Sequence, residues 1–384
     1  MTSRERVLAT LDHREPDRVP FDLGGTVVSG IHEKAYLALR AYLGLPPVTP
    51  KIVDIIQQIA QVDDDLMDRL GVDVKNVSPR SSATYKVEIK EMEEYTYFYD
   101  EFSIGWRMPK ESGWYYDMFD HPLKGEITED MVDRFRWPNP LDGARFLGLK
   151  EAAQRVVEEE KRAVVIGNMS AGVMEVFAWV RGFEDYFADF VGNPKIACKI
   201  MDKVLEMKLA YWGHALEILG DTIDVAQDAD DFAGQDGLLI SPETYRKLVK
   251  PRHKELFDFI HSHSNAKVFF HSCGSIRAVI PDLIDIGVDI INPVQVSAAG
   301  MDSADLKREF GKDLVFWGGG VDTQGVLGSG APQQVRQDVK RRLDDLMPGG
   351  GFVFNTVHNI QGNVPPENIT AMWETLQEYG VYNK

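Results

Sequence analysis

Residues 267–274 read Lys267-Val-Phe-Phe-His271-Ser-Cys273-Gly274, a short apolar run that ends abruptly in a His-x-Cys pair and a glycine. The run has the length and composition of a β-strand, and the glycine marks where the chain must turn. Seven further β-rich runs share its character, at residues 18–23, 72–77, 163–167, 222–227, 288–292, 314–318 and 351–355. Between them lie stretches with helical spacing, such as residues 194–219, 242–262, 276–286 and 332–346, opened or closed by Pro, Gly or Ser. Strand alternating with helix predicts a parallel sheet. Eight such units close a barrel, whereas an open doubly wound sheet stops at about six strands. The expected fold is therefore α/β, a single (β/α)8 TIM barrel domain spanning residues 1–384, preceded by a cap helix over residues 2–13.

One region interrupts the alternation. Residues 84–90 and 93–99 show period-two patterning, and the aromatic-rich stretch 106–119 follows. This predicts an antiparallel insertion after strand two, at about residues 80–125. It would serve as a lid, as the surface of a homodimer, or as a hairpin covering one barrel end through Trp106, Trp114, Tyr115 and Tyr116.

Composition narrows the partners. The chain has 384 residues, a length that barrels with insertions reach as one domain, and its 44% apolar and 27% charged residues are those of a globular protein. A net charge of −18 opposes binding to nucleic acid or to anionic lipid, both of which are held by clustered Lys and Arg. No stretch approaches the roughly 20 apolar residues of a membrane span, and the amino end lacks a signal peptide's apolar core. A cytoplasmic location is expected. Two cysteines, Cys198 and Cys273, cannot build a disulfide framework.

In such a barrel the residues at strand carboxyl ends form the active site. A spacing of two in extended chain points His271 and Cys273 the same way, so imidazole and thiolate can share one metal, with zinc the best fit. Cysteine as a small buried hydrophobe is the competing reading. His358 lies just past strand eight and offers a third ligand. Strand four ends in Gln227-Asp228-Ala-Asp230-Asp231, acids suited to supply a fourth ligand, a base or a partner that orients a histidine; Asp228 is expected to face inward as a catalytic group, and a helix cap explains Asp230 or Asp231 equally. Gln227 and Gln295 carry amides suited to a substrate. Gly24-Gly25 after strand one, and Gly318-Gly319-Gly320 with Asp322 after strand seven, would let a ligand approach the backbone, although a tight turn explains the second set equally. Pro348-Gly-Gly-Gly351 precedes its strand and so falls at the wrong end.

These residues carry a resemblance. The tail Phe354-Asn-Thr-Val-His358-Asn-Ile360, with Val364-Pro-Pro-Glu-Asn368, is similar to the Phe-Asn-x-Gly-His-Gly-Ile and Pro-Pro-Glu-Asn pattern of the uroporphyrinogen decarboxylase superfamily. Arg4-Glu-Arg6 through Asp17-Arg-Val-Pro20 resembles its opening. The superfamily is built on a (β/α)8 barrel and includes zinc- and cobamide-dependent methyltransferases. The decarboxylases grip their tetrapyrrole with arginines in the loop after strand one, and residues 22–31 here contain none. The methyltransferases carry His-x-Cys after strand five and a late cysteine. This chain keeps His271 and Cys273, and His358 stands at the corresponding late position, where it fits both a methyltransferase's third ligand and the catalytic, substrate-contacting histidine of a decarboxylase. The resemblance thus implies a zinc site of His271, Cys273 and His358, and methyl transfer between a small donor (a methyl ether or similar) or a thiol and a corrinoid (cobalamin). The corrinoid would sit on a separate partner protein, since no Asp-x-His-x-x-Gly signature occurs here. A metal-free decarboxylase and a non-catalytic binding barrel are the alternatives.

Overall fold

The computed structural model describes residues 1–382. Seven parallel strands lie side by side in chain order: Val74–Asn76, Ala163–Ile166, Val225–Ala229, Lys267–His271, Ile290–Asn292, Val315–Trp317 and Phe352–Val353. Residues 19–22 complete the barrel between the last and the first of these. Phe21 forms a parallel bridge with Phe354. Phe354 N donates to Pro20 O (2.8 Å), Asp22 N donates to Phe354 O (2.9 Å), and on the other side Asp73 N donates to Phe21 O (2.8 Å). The fold is the TIM barrel expected from the alternation of strand and helix, and residues 19–22 occupy its first strand position.

The seam at the first strand is held by one carboxylate. Asp73, fully buried, accepts from Phe21 N at 2.8 Å, where a longer ladder would supply a carbonyl. Arg6 donates to it at 2.6 Å and Arg18 at 2.7 Å. Arg6 comes from the cap helix Ser3–Leu11, whose start is set by a reciprocal pair: Glu5 N donates to the Thr2 hydroxyl and Thr2 N to the Glu5 carboxylate.

Alternation along each strand decides which side chains enter the barrel. Phe269 packs against Trp317 inside, with ring centroids 5.4 Å apart. Phe270 points out, onto His253 (5.2 Å) and Phe257 (5.6 Å) of the outer helix Lys250–His263. His271 therefore points in. The helices Pro194–Leu219 and Pro332–Leu346 have the bounds that their periodicity predicts, each opening on a proline whose missing N–H costs nothing there.

The insertion is a four-stranded antiparallel sheet of Lys90–Glu91, Tyr95–Tyr99, Gly105–Pro109 and Asp117–Asp120. Residues 84–89, expected to pair, do not. Their alternating Val87 and Ile89 remain exposed, and a period-two pattern makes a strand only where one face finds a core. The sheet docks on the helix Val173–Arg181, with Trp106 edge-on to Trp179 at 5.3 Å. Beyond it, Tyr116 N donates to Ile56 O (2.9 Å) and Trp114 packs against His32 (5.6 Å), which brings residues 114–116 over the loops at the barrel mouth. A second antiparallel sheet, Ile31–His32, Ile59–Ala60 and Ile52–Asp54, follows the first barrel strand. Strands of two or three residues are too short to show a period in sequence. Among the described residues no helix is long and apolar enough to cross a membrane.

Because Asp73 is buried beneath two guanidinium groups and a main-chain N–H, Asp73→Ala leaves donors unpaired at the barrel seam. The expected loss is about 3–5 kcal/mol of unfolding free energy, read from the urea midpoint; a loss below about 1 kcal/mol would show that the seam does not depend on it.

Candidate metal centre

The site is built on the ends of three strands. His271 is the last residue of the fifth barrel strand, and its Nδ1 lies 2.5 Å from Asn292 Oδ1 at the end of the sixth. The other half of that amide is committed, since Asn292 Nδ2 donates to Trp317 O at 2.8 Å. The oxygen must then face the imidazole, and an oxygen only accepts. His271 therefore carries its proton on Nδ1 and presents a lone pair on Nε2. Cys273 Sγ lies 3.5 Å from that nitrogen, and the ring of His358 stands 5.3 Å from the ring of His271, centroid to centroid.

One ligand atom from each of His271, Cys273 and His358 lies within 4.8 Å of the others. Around tetrahedral zinc, with bonds of about 2.0–2.3 Å, ligand atoms stand about 3.4–3.8 Å apart, so small side-chain rotations suffice to close the set. The donors suit a cation. Burial, reinforced by His271, drives the His358 imidazole down to about 3, which keeps it neutral at physiological pH. Burial and the nearby carboxylates of Asp231 and Glu175 push the Cys273 thiol well above its ordinary value, so that a thiolate there calls for a positive partner.

The loop carrying Cys273 is fixed from both sides. Cys273 N donates to Asp231 Oδ1 (2.7 Å), and Gly274 N donates to Gln295 Oε1 (2.7 Å). Gly274 has φ +89, and a Cβ there would lie 2.6 Å from Gly234 O, so only glycine fits. Gln295 thus supports the loop through its amide oxygen. Asp231 Oδ1 also lies 3.8 Å from His271 Nε2. Asp230 accepts from Met174 N (2.9 Å) and Glu175 N (2.8 Å), capping the helix Val173–Arg181, and meets His253 Nε2 at 2.9 Å.

Asp228, expected to face inward, points out of the barrel. It shares the outward register of Phe270, and Lys208 of the helix Pro194–Leu219 donates to it at 2.8 Å. Of the three acids after Gln227 it is Asp231 that lies at the site: strand four runs to Ala229, so the alternation turns Asp228 outward and leaves Asp231, in the following loop, beside Cys273 and His271. Gln227, in register with Phe269, is buried on the inner face.

The glycine pairs have packing roles. Gly25 N donates to Asp22 Oδ1 at 2.7 Å, and a Cβ on Gly25 would lie 2.6 Å from that oxygen; Gly24 adopts φ +89. A Cβ on Gly319 would lie 2.6 Å from that of Val294, and Gly318 N and Gly320 N are spent on Val353 O and Asn355 O. Asp322 caps the next helical turn, accepting from Gln324 N (3.0 Å) and Gly325 N (3.1 Å). The tight-turn explanation accounts for this set. Asp22, not among the residues expected in the site, lies at the carboxyl end of the first strand and accepts from Trp317 Nε1 at 2.7 Å. Burial pushes it up to about 6, against the hydrogen bonds of Ser29, Trp317 and Gly25. Its signal in sequence was an acid ending an otherwise apolar run.

A TIM barrel with ionisable side chains gathered at its strand carboxyl ends has the plan of a barrel enzyme. The chain belongs to the uroporphyrinogen decarboxylase family, since residues 119–379 match the family model described as Uroporphyrinogen decarboxylase (URO-D). Proteins named uroporphyrinogen decarboxylase from Geobacter sulfurreducens and Geobacter metallireducens are 23% identical over 267 residues and 25% identical over 273 residues. Each match covers 67% of this chain and 72% of the relative. A solved structure described as a methyltransferase from Methanosarcina mazei superposes with a TM-score of 0.65 at 18% identity, covering 99% of both chains. That likeness establishes the shared fold.

Asp22 gives a pH test. A carboxyl raised from 3.8 to about 6 on folding binds more protons folded than unfolded between those values, so its contribution to stability is present at low pH and is lost as pH rises through about 6. Relative to Asp22→Asn, the wild type should gain about 2 kcal/mol between pH 8 and pH 4.5 in urea unfolding. A pH-independent difference would remove the shift.

Proposed function

We propose that this chain is a zinc-dependent methyltransferase that moves a methyl group between a small methyl donor, such as a methyl ether, or a thiol, and a corrinoid carried by a separate protein. The observation that carries the reading is the donor set: His271 Nε2, turned inward by Asn292, beside Cys273 Sγ and the neutral imidazole of His358, all within 4.8 Å. Bound there, zinc would supply Lewis acidity toward the atom that carries or receives the methyl group.

The chain's own residues define the rest. His271 and His358 contribute no charge and Cys273 contributes one thiolate, a less electron-rich set than one with two thiolates, which suits activating a methyl ether. Asp231 places a carboxylate beside the thiol, which disfavours an anionic substrate, while burial and the neighbouring Asp231 and Asp230 push Glu175 well above the usual carboxylate range. Asn292, Gln295 and Asp231 hold the ligand loop and the ring, so little reorganisation is needed when a ligand arrives. A solved methyltransferase shares the fold over its whole length.

A second reading is a metal-free decarboxylase, favoured by the name that the curated relatives share. The absence of arginine from residues 22–31 weighs against a tetrapyrrole polycarboxylate as its substrate.

Metal analysis joined to a spectroscopic assay separates the two. The wild type should hold about one zinc per chain, His271→Ala with Cys273→Ala should hold none, and the wild type should methylate cobalamin from members of a panel of methyl ethers and thiols. Zinc-free wild-type protein that releases carbon dioxide from a uroporphyrinogen would establish the decarboxylase instead.

A further inference from the structure

The two histidines of the site are held by different means. His271 is oriented through its own ring by Asn292. The ring of His358 has no hydrogen-bond partner among the described residues; it is placed by packing edge-on to His271 (5.3 Å) and by its main chain, whose carbonyl accepts from the Thr356 hydroxyl. That main chain is fastened at the next residue. Asn359 is fully buried, and its side chain uses both ends: Oδ1 accepts from Gly30 N (2.6 Å), while Nδ2 donates to Val27 O and to Gln57 Oε1, both at 2.9 Å. Its carbonyl accepts from Gln361 Nε2 at 3.2 Å.

Resting on the reading of His271, Cys273 and His358 as one metal site, we infer that Asn359 is the positioning residue for His358, acting through the backbone and tying the ligand to the loop after the first strand and to the insertion. The tie to the insertion runs through Gln361, whose Oε1 accepts from the Tyr115 hydroxyl. Trp114, next to Tyr115, lies over Gly362, where a Cβ would come within 2.3 Å of the indole. Ile360 extends the clamp: its N donates to Gly30 O (3.0 Å), and its O accepts from His32 N (2.8 Å). A ring without its own hydrogen bond depends on such a clamp more than one with it. Loss of the Asn359 amide leaves Gly30 N, Val27 O and Gln57 Oε1 without their partner and lets the segment beginning at His358 drift from the other two ligands. Tyr115, at the far end of the chain of bonds, makes the geometry of the metal site sensitive to where the insertion tip rests.

The test uses the full-length protein loaded with Co2+, whose visible bands report ligand number and geometry without any turnover. Asn359→Ala should weaken Co2+ binding about tenfold and shift the visible bands in the direction that His358→Ala shifts them. Tyr115→Phe should give a smaller change of the same sign. General loosening of the fold would lower the melting temperature of Asn359→Ala without moving the bands. Should Asn359→Ala fail to fold, Gln57→Ala removes one of the three partners and should weaken Co2+ binding by about half as many decades. Wild-type affinity and bands in these variants, alongside weakened binding in His358→Ala, overturn the inference and leave the proposed function standing. Unchanged binding in His358→Ala shows that His358 is not a ligand and overturns the inference as well. A wild type that binds neither Co2+ nor zinc overturns the proposed function, and the inference with it.

Discussion

Everything at the mouth of this barrel depends on how its seam is closed. The first strand position is only four residues long, at 19–22, and it must pair on both sides to make eight strands from seven. Phe354 supplies the partner on one side. On the other, the ladder gives one main-chain bond and the buried Asp73 carboxylate supplies the acceptor that Phe21 N lacks. Two arginines, one from the cap helix, neutralise that carboxylate. A buried charge survives only with such pairing, so the cap helix and the barrel seam are parts of one electrostatic unit. Closing the seam brings the strand carrying His358 next to the strand ending in Asp22, and gathers eight carboxyl ends around one axis.

Within that ring the polar groups form layers. One is built on Asp22, tied to Trp317 and to Gly25 N. Above it, the Asn292 amide links Trp317 O to His271 and so passes the order of the buried layer up to the donor set. The acids Asp230 and Asp231 divide their labour between capping a helix and holding the Cys273 loop. The glycines that resemble ligand cradles make room for this arrangement: Gly25 for Asp22, Gly274 for the loop of residues 233–234, and Gly319 for Val294.

The insertion is joined to this machinery rather than appended to it. Its sheet rests on the helix Val173–Arg181, the same helix that Asp230 caps, and its tip reaches the residues that follow His358 through Tyr115 and Gln361. The insertion therefore touches the barrel both at the helix capped by Asp230 and at the residues that follow His358. In the segment similar to the decarboxylase pattern, Val357 and Asn359 replace glycines, and both side chains are buried. Packed side chains thus stand on either side of His358.

Sequence alone determined the architecture, because periodicity and Pro or Gly punctuation are local and each strand and helix records its own. The bounds of helices 194–219 and 332–346, the strand ending in His271, and the pairing of His271 with Cys273 by a spacing of two were all legible. The short strands of the second antiparallel sheet were not, because two residues hold no period. Nor was the direction of Asp228, which turned on whether strand four stops at Gln227 or runs to Ala229 and so carries the alternation through Asp228. The placement of His358 within reach of Cys273, the tautomer of His271 and the clamp at Asn359 required the tertiary structure. Each depends on groups tens to hundreds of residues apart in the chain that meet only once the barrel has closed.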